Sequence, residues 1–181
     1  MKKILVVVGS GMKNGNTYHL AKSFVDGAKE SGNEVELVLL GNKNIHGCIN
    51  CQACQKDHHC HLQDDMLELY DKFMKCDVLV FASPLYFWSI SSMVKAFIDR
   101  LYAISTNDEY PYKETVLLMT SGSKRDYAFD QPVSFYNFLN KQLKWKSLGI
   151  VLARGCKGKV GEKYLPEESY NEAYRLGNRM G

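Results

Sequence analysis

No apolar run in this chain approaches the ~20 residues needed to span a bilayer. The five apolar residues from Ile4 to Val8, preceded by Lys2 and Lys3, run into Gly9 and are too few for the hydrophobic part of a secretory signal. Charge of one sign is also scarce. The net charge is +3, and Lys, Arg, Asp and Glu alternate along the chain without forming a stripe, so neither nucleic acid nor an acidic membrane surface is an expected partner. There is no internal repeat and no low-complexity linker, and 181 residues read as a single domain over 1–181, large enough to bury a core without disulfide or metal staples. The expected compartment is the cytoplasm, where reducing thiol pools disfavour disulfides. The six cysteines are then better read as metal ligands, redox groups or packing thiols.

Short apolar runs recur at Ile4 to Val8, Val35 to Leu40, Val78 to Ala82, Val116 to Thr120 and Leu148 to Ala153, as buried parallel strands do. Helical periodicity fills the gaps. Thr17 to Ser31 and Asp64 to Cys76 each gather their apolar residues largely on one face, and Ser91 to Ile104, Pro132 to Lys146 and Pro166 to Met180 supply three further helices. Five strands alternating with five helices predict a doubly wound α/β sheet with helices on both faces. Right-handed crossovers are compatible with the flavodoxin-like order 2-1-3-4-5, in which the ligand sits beyond the carboxyl ends of the strands.

The first strand leads into Gly9-Ser10-Gly11-Met12-Lys13-Asn14-Gly15-Asn16-Thr17 and then directly into a helix. Small residues let backbone approach an anion, the hydroxyls of Ser10 and Thr17 and the amide of Asn16 can donate to it, and the helix start adds free N–H groups. The Gly-Lys-Ser/Thr ending of a P-loop is missing, and Asn16 stands where a dinucleotide turn needs glycine. The loop therefore suits one monoester phosphate; read as local structure alone, it is a strand-to-helix turn capped by Thr17. After the third strand come Pro84, Leu85, Tyr86, Phe87 and Trp88. A row of aromatics at the carboxyl end of a strand is suited to cover a flat aromatic ligand such as an isoalloxazine ring, or to pack in a core or subunit interface.

Four cysteines fall in one short segment, 46–61: Cys48, Cys51 and Cys54 at intervals of three, then Cys60. Ferredoxin-type runs with such spacing wrap a 4Fe-4S cluster, whereas a single zinc more often takes two separated Cys-x-x-Cys pairs. His58, His59 and His61 flank Cys60, so a zinc or nickel site is an alternative to a solvated loop. Cys76 and Cys156 read as packing or loop thiols.

The phosphate loop, the Ser83-Pro84-x-Tyr86 segment and Lys95-Ala96-Phe97-Ile98-Asp99-Arg100 together resemble the NAD(P)H-dependent FMN reductase family of flavodoxin-like proteins. The cysteine run followed by Asp64-Asp65-Met66 resembles its iron-sulfur flavoprotein branch. The resemblance covers about the first two thirds of the chain. It implies that Ser10, Lys13, Asn14, Asn16 and Thr17 hold the FMN phosphate. Pro84, Leu85, Tyr86, Phe87 and Trp88 would line the ring, with Thr120, Ser121 and Gly122 closing its other side. Cys48, Cys51, Cys54 and Cys60 match the cluster ligands of that branch. A homodimer or homotetramer with FMN near the subunit interface is implied as well. Met12 stands where family members often carry arginine, leaving Lys13 to act as a point charge. The activity expected is transfer of electrons from NAD(P)H through FMN to a quinone, flavin, nitro compound or the cluster, with no catalytic acid or base. Backbone N–H groups in 83–89 and 120–123 would stabilise the reduced ring, and Lys124 and Arg125 would meet a nicotinamide phosphate. Two further readings stand beside it: an electron carrier exchanging electrons with ferredoxin, and a zinc-stabilised interaction protein on the same scaffold.

Overall fold

The computed structural model describes residues 1–105, 109–157 and 164–181. Five parallel strands, β1 (Lys3–Val8), β2 (Glu34–Leu39), β3 (Val78–Pro84), β4 (Glu114–Thr120) and β5 (Lys146–Ala153), form one sheet of order β2-β1-β3-β4-β5. This is the flavodoxin-like order anticipated from the alternating pattern. In register, Val8 pairs with Leu39 and Ala82, and Thr120 with Pro84 and Ala153, so the loops that leave the strands emerge along one rim. The β1 and β3 crossovers depart in opposite directions, which opens a crevice between their carboxyl ends.

Alternation with period two divides the core. Leu5, Val7, Leu79, Phe81, Leu117 and Met119 face α3 (Met66–Lys75), α4 (Ser92–Arg100) and α5 (Asp130–Leu143). Ile4, Val6, Val8, Val80, Ala82 and Leu118 face α1 (Asn16–Glu30) and α6 (Glu167–Asn178). The last two helices meet through small residues, Ser23 and Gly27 on α1 against Ala173 and Gly177 on α6, all four buried. A Cβ on Gly27 would stand 2.1 Å from the Tyr174 carbonyl oxygen, and one on Gly177 2.1 Å from that of Phe24. The Ser23 hydroxyl donates to the Tyr170 carbonyl at 2.7 Å across the same contact.

Element ends differ from the expected ones where tertiary contacts extend them. β5 begins at Lys146 rather than Leu148, because the pairing of β4 with β5 shifts register between Thr115 and Val116 and lets the polar residues Lys146 and Ser147 join the ladder. α5 begins at Asp130, fed by a 3₁₀ turn at Asp126–Phe129, and Pro132 lies inside its first turn, where a missing N–H costs nothing. α4 ends at Arg100 and continues as a 3₁₀ turn over Leu101–Ile104. A short helix absent from the sequence reading, α2 (Cys54–Asp57), lies inside the cysteine segment.

At the carboxyl end of α3 the buried Lys113 ammonium donates to the carbonyls of Cys76 (2.6 Å) and Met74 (3.3 Å) and lies 4.9 Å from the Phe73 ring centre. Burial pushes the neighbouring Cys76 thiol up to about 11 from 9.0. The folded chain thus keeps a proton that the unfolded chain releases, and this contribution to stability is lost as pH rises from about 9 to about 11. Tyr70 and Tyr136, also raised by burial, act in the same direction, while the lowered Lys113 acts in the opposite one. Denaturant unfolding at pH 8 and pH 11 is expected to show wild type losing about 1–2 kcal/mol more than Cys76→Ala over that interval.

Candidate functional site

Loops from β1, β3 and β4 converge at the rim. The Gly9 N–H donates to the Ala82 carbonyl at 2.8 Å, keeping the first loop beside β3. A Cβ on Gly9 would lie 2.3 Å from Val94 Cγ2 and 2.4 Å from Ser91 Oγ, so only glycine lets the chain pass beneath the start of α4. Ser10 is buried, and its hydroxyl accepts the Met12 N–H at 3.3 Å, while Lys13 and Asn14 are exposed. Gly15, not Thr17, caps α1, and it brings no side-chain acceptor. The first helical hydrogen bond runs from the His19 N–H to the Gly15 carbonyl, which leaves the N–H groups of Asn16, Thr17 and Tyr18 without an intrahelical partner. With no acidic residue in this first turn, the helix start is a ready anion cradle.

Two predicted phosphate donors also bond within the protein. The Thr17 hydroxyl is buried 2.7 Å from that of Thr120, tying the start of α1 to the end of β4. The Asn16 amide nitrogen donates to the Lys157 carbonyl at 3.3 Å, and its buried Oδ1 is left with no donor. A phosphate oxygen cannot fill that gap, but a hydroxyl can.

The second loop turns back on itself. Tyr86 and Ser89 exchange both backbone hydrogen bonds at 3.0 Å across Phe87 and Trp88, whose φ angles are 46° and 59°. Left-handed backbone at both centres of a two-residue turn is the place of Asn-Gly, and bulky side chains hold it only under strain. Phe87 is nonetheless 94% exposed and Trp88 58% exposed. A cavity of about 360 Å³ opens there, lined by Leu85, Phe87 and Trp88 together with Ser123, Arg125, Tyr127 and Ala128. Sequence reasoning missed Tyr127 and Ala128, whose position depends on the 3₁₀ turn that precedes α5. Tyr86, Thr120, Ser121 and Gly122 border this region along the strand ends without lining the cavity. Pro84 ends β3 in register with Thr120.

Most N–H groups of these loops are committed. That of Leu85 goes to Thr120, that of Ser121 to Ala153 and that of Ser123 to the Ser121 hydroxyl. Among the described residues, the N–H groups of Phe87, Trp88 and Gly122 have no acceptor. Lys124 and Arg125 part company: Arg125 lines the aromatic cavity, whereas Lys124 joins Arg154 and Lys157 around another opening. Substituting Asn and Gly for Phe87 and Trp88 is expected to raise the stability of the protein by about 2 kcal/mol in thermal unfolding.

The cysteine segment follows the carboxyl end of β2, on the same rim of the sheet. Asp65 clamps its base by accepting the Asn44 N–H at 2.7 Å and donating its own N–H to the Asn44 carbonyl at 3.0 Å. Asp64 accepts the N–H groups of His46 and Met66, both at 3.0 Å, and pairs bidentately with Arg100 at 2.6 and 3.0 Å. Both side chains of this pair are 1% exposed. Burial pushes the Asp64 carboxyl up, yet the bonds from Arg100, His46 and Met66 outweigh it and hold it below its ordinary value.

Cys48 and Cys51 are exposed, Cys54 and Cys60 buried, and all four line one enclosed cavity of about 20 Å³ with Arg100 and Tyr102, room for about one water as it stands. Among the described residues, no group of three His, Cys, Asp or Glu side chains stands ready to hold a single metal ion. His58 bonds to the Ser105 carbonyl and His61 to Asp57. Cys76 and Cys156 are buried, with their thiols donating to the carbonyls of Phe73 and Ala153. The donor set fits an iron-sulfur cluster in kind: four cysteines border one cavity, beside a buried cation with an unused N–H at Nε.

An anion cradle and an aromatic cavity at the carboxyl rim of a 2-1-3-4-5 sheet place the protein in the flavodoxin-like class. Residues 2–131 match the family described as NADPH-dependent FMN reductase, and the chain belongs to that family. Every site residue named from the sequence lies within that span. An iron-sulfur flavoprotein of Archaeoglobus fulgidus is 29% identical over 180 residues, covering 98% of this chain and 78% of that protein. A second, from Methanocaldococcus jannaschii, is 32% identical over 98 residues, 54% of this chain and 51% of the relative, so the chain reaches about half the length of that protein. In fold, the NAD(P)H:quinone oxidoreductase of Methanothermobacter marburgensis superposes with a TM-score of 0.77 at 15% identity, covering 99% of this chain and 96% of the other. No helix among the described residues is long and apolar enough to cross a membrane.

Proposed function

We propose that the protein is an FMN-dependent, NAD(P)H-consuming oxidoreductase that delivers electrons to a quinone, flavin or other acceptor, and that its cysteine segment holds a 4Fe-4S cluster. The observation that carries the flavin reading is that the acid-free start of α1 and the cavity at the Phe87–Trp88 turn open on the same rim of the sheet. FMN, when bound, supplies the two-electron chemistry, taking hydride from the nicotinamide and passing electrons onward.

The chain's own part is to bind, orient and polarise. The N–H groups of Asn16, Thr17 and Tyr18, with Ser10 and the nearby Lys13 and Asn14, hold the phosphate. Asn16 Oδ1 accepts a hydroxyl of the sugar-alcohol chain that joins phosphate to ring. Leu85, Phe87, Trp88 and Tyr127 would give the ring apolar walls, and the unused N–H groups of Phe87, Trp88 and Gly122 would be available to stabilise negative charge on the reduced ring. Arg125, rather than Lys124, is the cation within reach of a nicotinamide phosphate at this cavity. The exposed aromatics Tyr86, Phe87, Trp88 and Tyr127 suit coverage by a second copy in a homodimer or homotetramer. Six free thiols suit the reducing cytoplasm.

A carrier that exchanges electrons with ferredoxin is favoured by one specific observation, the convergence of four thiols on one cavity. Protein purified without oxygen, assayed for flavin, iron and acid-labile sulfide and then offered NADPH, NADH or reduced ferredoxin, separates the readings. Rapid FMN bleaching by NAD(P)H with quinone turnover is the expected result. Bleaching by ferredoxin alone would make the protein a carrier, and no uptake of added FMN would sink both readings.

A further inference from the structure

Arg100 lies on the buried stripe of α4 with Val94 and Phe97, where an apolar residue would be expected. Its guanidinium gives Nη1 to Asp64 Oδ2 (2.6 Å) and to the His46 carbonyl (2.9 Å), and Nη2 to Asp64 Oδ1 (3.0 Å). The Nε–H is left buried with no acceptor. A buried donor on a charged group without a partner is rare in native structures and calls for a cause. Asp64 cannot provide one, because each of its oxygens already accepts two hydrogen bonds. The cavity that Arg100 lines is bordered by all four cysteines, Cys48, Cys51, Cys54 and Cys60, besides the exposed Asn50, Gln52 and His61. Cys60, buried as Arg100 is, is the cysteine of this set whose charge bears on the guanidinium, and the nearby Tyr70 hydroxyl donates to the Arg100 carbonyl at 2.8 Å.

We propose that Arg100 is a positioning residue for the group held by the four cysteines: Asp64 fixes its guanidinium, and its Nε–H donates to the Cys60 sulfur once that sulfur is a cluster ligand. The assignment rests on the cluster reading above. It explains why a buried ion pair, weak as a source of stability, stands at this place. Asp64 closes the base of the cysteine segment through His46 and Met66 and at the same time aims the arginine into it. A cluster gains negative charge on reduction, so a cationic donor on its sulfur favours the reduced form and raises the reduction potential.

The test uses the flavin-containing protein reconstituted with iron and sulfide without oxygen, as wild type, Arg100→Lys and Asp64→Asn. Iron and sulfide per chain are measured first, then the cluster midpoint potential by dye-equilibrated titration of its paramagnetic signal. Lysine keeps the charge and can reach Asp64 and the His46 carbonyl but has no Nε–H. Arg100→Lys is therefore expected to shift the reduction equilibrium about threefold or more toward the oxidised form, about 28 mV at 59 mV per tenfold. Asp64→Asn leaves the arginine's charge uncompensated and is expected to shift it the opposite way.

Opposite shifts support the assignment, as does loss of iron from Arg100→Lys with wild-type FMN content and unfolding midpoint. If Arg100→Lys does not fold, the Asp64→Asn potential decides: a rise supports the role and no change overturns it. Full iron content with potentials equal to wild type, or both shifted the same way, overturns it while leaving the cluster reading intact. Wild type that takes up no iron overturns both.

Discussion

Aspartate in place of Asn16 is expected to abolish FMN binding at working concentrations, raising the dissociation constant at least ~100-fold with little loss of stability. The argument turns on charge at the start of α1, where the N–H groups of Asn16, Thr17 and Tyr18 are free and no acidic residue is present. A carboxylate there competes for the same N–H groups and repels a phosphate carrying between one and two negative charges. At separations of several ångströms, such repulsion is worth about 2–4 kcal/mol. The helix itself favours the substitution, since a negative side chain in the first turn contributes about 0.3–1 kcal/mol. That gain offsets the lost bond from Asn16 to the Lys157 carbonyl. Fluorescence titration of FMN-free protein with FMN, together with a thermal melt, separates the two effects. Tight binding by Asn16→Asp would show that the phosphate lies elsewhere.

The second large effect is structural. Gly27→Ala and Gly177→Ala are each expected to destabilise the protein by about 3 kcal/mol or more, although alanine is favoured over glycine within a helix by about 1 kcal/mol. The reversal follows from geometry. Each new methyl would lie 2.1 Å from a carbonyl oxygen of the facing helix, a backbone atom that cannot rotate away as a side chain can. Relief requires α1 and α6 to separate, which uncovers the sheet face carrying Val6, Val8, Val80 and Leu118 and loses the bond from Ser23 to Tyr170. Because either methyl alone forces that separation, the double variant is expected to cost clearly less than the sum of the two. Urea unfolding of the three variants measures this, and additive losses would contradict a single shared contact.

Much of the architecture was legible because it rests on local patterns. Ile4 to Val8 and Val78 to Ala82 can be little other than strands buried on both faces, and the Gly9 to Thr17 segment can be little other than a tight passage from strand to helix. Features that depend on distant partners were not legible. The bond between the Thr17 and Thr120 hydroxyls joins two residues that only the sheet order brings near. The 3₁₀ turn that places Tyr127 and Ala128 in the aromatic cavity has no periodicity of its own. Within the cysteine segment, α2 is a single turn, and Asn50, Gln52 and His58 adopt left-handed backbone that no glycine announces. Arg100 did carry a signal, an arginine on the same helical face as Val94 and Phe97, with Asp64-Asp65 elsewhere to receive it. A charge on an apolar stripe asks for a buried partner, and that partner leads to the cysteines.

The pairing of α1 with α6 also bears on how the chain comes into being. The sheet can begin to assemble as soon as β1, β2 and β3 have left the ribosome, since β1 lies between the other two. The face of α1 that carries Ser23 and Gly27 has no partner until α6 has been synthesised, after all five strands. Throughout that interval a bare helical groove and the apolar strand residues beneath it face the solvent. Contacts so far apart in sequence also form slowly. The nascent chain therefore passes through a nearly complete but open state, in which chaperone capture or association with a neighbouring nascent chain competes with closure.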